Sequence, residues 1–131
     1  MIEIIQEIRA FNANRDPSKR VLKYAVMQQN VFRFYRGTCH LFYKDLYNNN
    51  VLPNSPLVWA SGDLHLENFG SFKGRDRLVY FDINDFDEAM LMPAIWELVR
   101  LLCSVVVAST SIQTLGRGIP KHKLSRAAET T

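Results

Sequence analysis

The chain has 131 residues, a formal net charge of +3, and a composition that is 47% hydrophobic and 22% charged. That size and balance suit one hydrophobic core and exclude a disordered or fibrous protein. No run of Lys or Arg is long enough for a nucleic-acid arm, so no nucleic-acid partner is expected.

In chain order, residues 1–8 carry acids early and no basic leader, which argues against a secretory signal. Ile4, Ile5, Ile8 and Phe11 recur at helical spacing and predict an amphipathic helix over 2–12. Asp16-Pro17 is a helix start, a carboxylate to cap free N–H groups followed by proline at the first position. The second helix is expected to reach Asn30, with Val21, Leu22, Ala25 and Val26 as its apolar face. Its basic residues Arg15, Lys19, Arg20 and Lys23 read as a solvated surface. The aromatic-basic stretch 31–37 has no clear assignment. Thr38 is expected to cap a helix through Leu41, Phe42, Leu46 and Tyr47.

A loop over 48–56 leads to a short strand at 57–60. Residues 69–72 and 78–83 read as two strands joined by a turn at 73–76. The apolar stretch 91–108 is interrupted by Glu97 and Arg100, with Pro93 near its start. It therefore reads as a buried helix, not a membrane span. Ile95, Leu98, Val99, Leu102 and Val106 follow its 3.6 period, and Glu97 with Arg100 forms the simplest i, i+3 ion pair. Trp59, Trp96 and Tyr80 are assigned to the core. Cys39 and Cys103 lie far apart in apolar surroundings, which suits buried thiols in a reducing, cytoplasmic compartment. The expected organisation is a helical segment 1–30, a central segment 31–109 and a polar basic tail 110–131.

The chemistry concentrates in Gly62-Asp63-Leu64-His65-Leu66-Glu67-Asn68 and Asp85-Phe86-Asp87. Asp63 and Asn68, on a loop between short strands, can point into one cleft, and Asp85 at the end of the next hairpin can face them. Two carboxylates and an amide oxygen are hard donors that suit Mg²⁺ and leave room for substrate phosphates. Phosphoryl transfer asks little more than metal, an orienting carboxylate and a nearby cation. The same residues also have plainer roles: Asp85, Asp87 and Glu88 as turn and capping acids, Asn68 as a turn residue, and Arg36 as a structural partner of an acid or carbonyl.

Asp63-Leu64-His65-Leu66-Glu67-Asn68 resembles the catalytic loop of protein kinases. Gly62-Asp63-Leu64-His65 is more similar to the aminoglycoside and choline kinase-like phosphotransferases. Phe34-Tyr35-Arg36-Gly37-Thr38, Asn68-Phe69-Gly70 and Asn84-Asp85-Phe86-Asp87-Glu88 together resemble the uncharacterised bacterial domain-of-unknown-function family 2252. These resemblances imply an α+β fold, a partial protein-kinase-like lower lobe with helices around short antiparallel hairpins. They imply Asp63 as the catalytic carboxylate, His65 at the transferring phosphate or the loop, and Asn68 and Asp85 as metal ligands; for Arg36 a phosphate contact stands as the alternative to its structural role. ATP and Mg²⁺ would be the cofactors and a small hydroxyl-bearing compound the substrate.

Two departures stand out. The kinase Asp-Phe-Gly is here Asp85-Phe86-Asp87, and the longer hairpin makes Asp82 a competing ligand. The residues before Phe32 contain no glycine, so no glycine-rich loop or strand lysine is expected. The chain thus reads as a piece of a longer protein, inactive by itself and inclined to self-associate through exposed apolar surface. Two other readings are a pseudokinase-like binding module and a metallophosphoesterase. The latter needs further histidines, and His122 alone follows His65.

Overall fold

A computed structural model describes residues 2–114. The polar tail, with Lys121, His122 and Lys123, lies outside the described residues. Helix α1 (Ile2–Phe11) buries Ile8 and stacks Phe11 on His40, with ring centroids 3.8 Å apart. Helix α2 (Pro17–Met27) starts as expected, with the Asp16 carboxylate accepting from Ser18 N at 2.9 Å and Lys19 N at 3.1 Å. It ends at Met27, not Asn30, because Asn30 adopts an extended backbone and caps the next helix by accepting from Arg33 N at 2.9 Å.

The unassigned aromatic-basic stretch is that helix, α3 (Val31–Gly37), with Phe32 buried. The expected apolar face of α2 is corrected too. Val21 and Leu22 are exposed and Met27 is buried, because Leu22 and Val26 border an open cleft instead of the core. Thr38 precedes α4 (Cys39–Asn49) but does not cap it with its side chain. Its hydroxyl donates back to Phe34 O at 2.8 Å. Asn50, in the left-handed region at φ 45°, closes the helix.

Strand β1 (Leu57–Ala60) is followed by a 3-10 turn (Leu66–Asn68) and the hairpin β2 (Phe69–Lys73) and β3 (Val79–Ile83). The hairpin pairs Phe69 with Ile83 and Lys73 with Val79. Strand β4 (Met90–Pro93), hidden in the apolar run before the long helix, pairs antiparallel with β1, Leu57 opposite Pro93 and Ala60 opposite Met90. Helix α5 (Ala94–Thr114) packs against α3, α4, β1, β4 and the 3-10 turn. The fold is mixed α+β, with two separate two-stranded antiparallel sheets.

The core gathers Ile8, Met27, Phe32, Leu64 and Met92. Trp59 and Tyr80 do not join it: they are 80% and 43% exposed. Two-stranded ladders have little to cover them, and within β1 Ala60 is the buried residue. Trp96 is half-buried and stacks on Tyr43 at 6.3 Å. Cys39 is buried, Cys103 is half-buried, and both are free thiols. Leu57, Val79, Phe81, Leu91, Leu102 and Val106 remain exposed. No helix among the described residues is long and apolar enough to cross a membrane.

Candidate functional site

Between β1 and the 3-10 turn the chain bends through Ser61, Gly62 and Asp63. Gly62 has φ 87°, and a Cβ there would sit 1.8 Å from the Glu88 carbonyl oxygen. Only glycine permits both the left-handed backbone and that close approach. Helix α5 holds this bend from behind with three polar residues on one face. Glu97 Oε1 accepts from Ser61 N at 2.5 Å, Ser61 Oγ at 2.6 Å and Gly62 N at 3.3 Å. Ser104 Oγ accepts from Leu66 N at 3.2 Å.

Between them, Arg100 donates from Nε to Asp63 Oδ1 at 2.9 Å, and its Nη2 donates to the same oxygen. Arg100 is 0% exposed, and its guanidinium lies 4.4 Å from the Tyr35 ring centroid. Glu97 and Arg100 are therefore not partners of each other. Each carries its charge into the Asp63 loop, which corrects the expected i, i+3 pair.

The sequence-predicted residues divide into groups. Asp63 remains 23% exposed at its side chain. Burial raises its pKa, and the Arg100 guanidinium opposes that shift. His65 is 1% exposed, its Nδ1 accepts from Glu67 N at 3.2 Å, and its Nε2 faces Asp63 Oδ2 at 3.9 Å. Burial pushes its pKa down to about 4, so the ring is neutral at pH 7, with its acceptor nitrogen turned to the backbone.

Asn68 is buried, and its Oδ1 accepts from His65 N at 2.8 Å, which closes a capping box around the 3-10 turn. Asn84 N donates to Asn68 O at 2.9 Å, which brings the Asp85 segment to this turn. Asp85 is exposed and its charge is felt at His65. Asp82 sits within β3, opposite Gly70, and accepts from Ile83 N at 2.8 Å.

Arg36 pairs with Glu67, and Arg33 reaches the same carboxylate at 3.2 Å. Arg36 Nε is buried and has no hydrogen-bond partner. No group of three or more His, Cys, Asp or Glu stands at metal-holding separation among the described residues. Mg²⁺ shared with substrate phosphates needs only one or two protein oxygens. Asp85, which is exposed, and Asn68, whose Oδ1 keeps a second lone pair beside its bond from His65 N, are the hard oxygen donors on these two segments.

Of the rim of the site, only Arg36 was a candidate from the sequence; Arg15, Lys19 and Lys23 read as a solvated surface. A cleft of about 430 Å³ opens beside Asp63, bordered by Arg15, Lys19, Lys23, Arg33 and Arg36. Glu88 borders it too and accepts from the buried Cys39 thiol at 3.3 Å. Burial, followed by the nearby Asp63 charge, pushes that thiol up to about 12. The signals were present as basic residues one helical turn apart on α2 and polar interruptions one turn apart on α5. Neither declares its target without the tertiary contact.

No curated protein and no solved structure matches the chain. A family described as uncharacterized protein conserved in bacteria (DUF2252) matches residues 15–130, an interval that holds the Asp63 loop, its α5 supports and the cationic rim. The chain belongs to that bacterial family, DUF2252.

Proposed function

We propose that the Asp63 cleft is the phosphoryl-transfer part of a Mg²⁺- and ATP-dependent phosphotransferase site acting on a small hydroxyl-bearing compound. The observation that carries this reading is one carboxylate, pinned through Oδ1 by a buried arginine, beside a cleft bordered by five cations. A carboxylate so fixed, with its proton affinity raised by burial, suits accepting a proton from an attacking hydroxyl. The guanidinium and ammonium groups would stabilise the charge on the transferring oxygens. Asp85 and Asn68 are the residues that would hold Mg²⁺, which neutralises phosphate charge when bound. His65 orients the turn by accepting the Glu67 N–H.

Thermal-shift titration with Mg²⁺ and ATP tests the reading. Stabilisation that Asp85→Ala removes, with γ-phosphoryl transfer that Asp63→Asn removes, is the expected result. No shift at millimolar ligand would sink it.

One observation favours a second reading, a pseudokinase-like binding module. His65 and Asn68 are already committed to capping their own turn. Ligand-induced stabilisation without turnover over a panel of hydroxyl compounds would select that reading. The exposed apolar side chains of β1, β3 and α5 support self-association. A single monomeric species in sedimentation over a wide concentration range would refute it.

A further inference from the structure

We infer that helix α2, with Arg15 just before it, and helix α3 together grip the phosphate groups of a small polyphosphate-bearing ligand. This deepens, and rests on, the reading of the Asp63 cleft as a phosphate-handling site. Arg15 and Lys19 are exposed; Lys23, Arg33 and Arg36 are half-buried on the same cleft. Five cations thus converge on one concavity in a chain whose whole formal charge is +3.

Two carboxylates, Asp63 and Glu88, border the same space. Asp63 is already answered by Arg100 from the protein side. Glu67 answers Arg33 and Arg36 together with a single carboxylate. Arg15, Lys19 and Lys23 form no ion pair with a described carboxylate; the Lys23 ammonium donates to the neutral Asn12 Oδ1 at 3.0 Å. Burial and then the neighbouring Arg15 charge hold Lys23 below the usual lysine range, while Glu88 and Asp63 on the same cleft oppose the shift without reversing it.

The buried, unpartnered Arg36 Nε adds a donor on a residue of the cleft wall. A cleft of about 430 Å³ has the volume of a small-molecule site. An anion with several negative oxygens would supply the missing counter-charge, and a single monoanion would not. Guanidinium groups bind phosphate oxygens two at a time and ammonium groups act as point charges, so this set suits a chain of phosphates. A nucleotide and any other compound with a phosphate chain share this recognition chemistry.

Calorimetric titration of the full chain at low salt, without divalent metal, tests this with inorganic tripolyphosphate, ATP and adenosine. Tripolyphosphate and ATP are expected to bind and adenosine is not. Equal affinities for the first two identify the phosphate chain as the whole determinant, and tighter ATP binding adds the nucleoside to a grip that still requires the cations. The double variant Arg15→Gln/Lys19→Gln changes exposed side chains only and leaves the Asp16 cap intact. It should weaken tripolyphosphate about tenfold, which corresponds to about 1.4 kcal/mol. Lys73→Gln removes the same kind of charge from the hairpin and should leave affinity unchanged.

Equal weakening by Lys73→Gln and the cleft variant, binding of adenosine alone, or no tripolyphosphate binding at millimolar concentration overturns the inference. Cleft-dependent tripolyphosphate binding with no phosphoryl transfer on any acceptor leaves this inference standing and removes the phosphotransferase reading. Asp85-dependent stabilisation by Mg²⁺ and ATP that ignores Arg15→Gln/Lys19→Gln does the reverse.

Discussion

Replacing Arg100 with Met tests the central mechanical claim, that α5 holds the candidate catalytic carboxylate from behind. Arg100 is 0% exposed and donates to Asp63 Oδ1 from two nitrogens and to Tyr35 O at 3.3 Å. Its guanidinium also lies within 5.7 Å of the ring centroids of Tyr35, Phe42 and Tyr43. Removing one partner of a buried ion pair costs about 3–5 kcal/mol, because the other charge is left uncompensated. Asp63 keeps 23% of its side-chain surface in contact with solvent, which places this case at the low end, about 3 kcal/mol.

For a chain of this size that corresponds to a fall in melting temperature of roughly 10 °C. Urea denaturation of wild type and Arg100→Met, read by far-UV circular dichroism, measures it directly. Asp63→Asn closes a double-mutant cycle, in which the coupling between the two positions should be about 1–3 kcal/mol. A loss under about 1 kcal/mol for Arg100→Met, or strict additivity in the cycle, refutes the claim that the pair anchors the loop.

Gly62→Ala should destabilise by at least about 3 kcal/mol, since the left-handed backbone is strained and the obstacle at 1.8 Å is main chain that cannot swing aside; near-wild-type urea stability contradicts this. Glu97→Gln should cost about 1–2 kcal/mol through loss of a charged acceptor for three donors, and hydrogen exchange should speed up at Ser61 and Gly62 more than in α1. Stability should fall as pH drops from about 6.5 to about 4, because folded His65 holds off its proton until about 4 while the unfolded chain takes it up near 6.5. The fully developed loss is on the order of 3 kcal/mol; the raised Asp63 carboxyl opposes it and the lowered His40 reinforces it. His65→Gln should flatten this part of the pH–stability curve, and an unchanged slope would assign the effect elsewhere.

Local signals in the sequence were read where a short-range rule governs the outcome. Asp16-Pro17 started α2, the turn residues at 73–76 gave the hairpin, and the 3.6 period gave α5 as a helix, although Leu98, Leu102 and Val106 of its stripe are exposed where a buried helix was expected. Strand β4 escaped because its four residues, Met90-Leu91-Met92-Pro93, merge with the apolar run of α5, and only pairing with the distant β1 makes them a strand. The α2 amphipathic pattern pointed the wrong way because Leu22 and Val26 border a cleft, a tertiary circumstance that periodicity does not encode. At the site, Asp63, His65 and Asn68 were legible as a group because they lie within one short loop segment. Their support was not, since Glu97, Arg100 and Ser104 act from more than thirty residues away.

The arrangement around Asp63 separates two tasks that a lone surface carboxylate cannot combine. Arg100 and Glu97 act from the buried side, where low dielectric strengthens their hydrogen bonds and fixes the loop. The cations of α2 and α3 act from the open side, where solvent screens them and their attraction depends on what enters. One oxygen of the carboxylate is committed to structure and the other stands toward the neutral His65. A neutral imidazole does not neutralise the carboxylate, as an imidazolium at that distance would. The burial that keeps His65 uncharged therefore preserves the negative charge of Asp63 at the wall of the cationic cleft, the pairing that the proposed phosphoryl transfer would use.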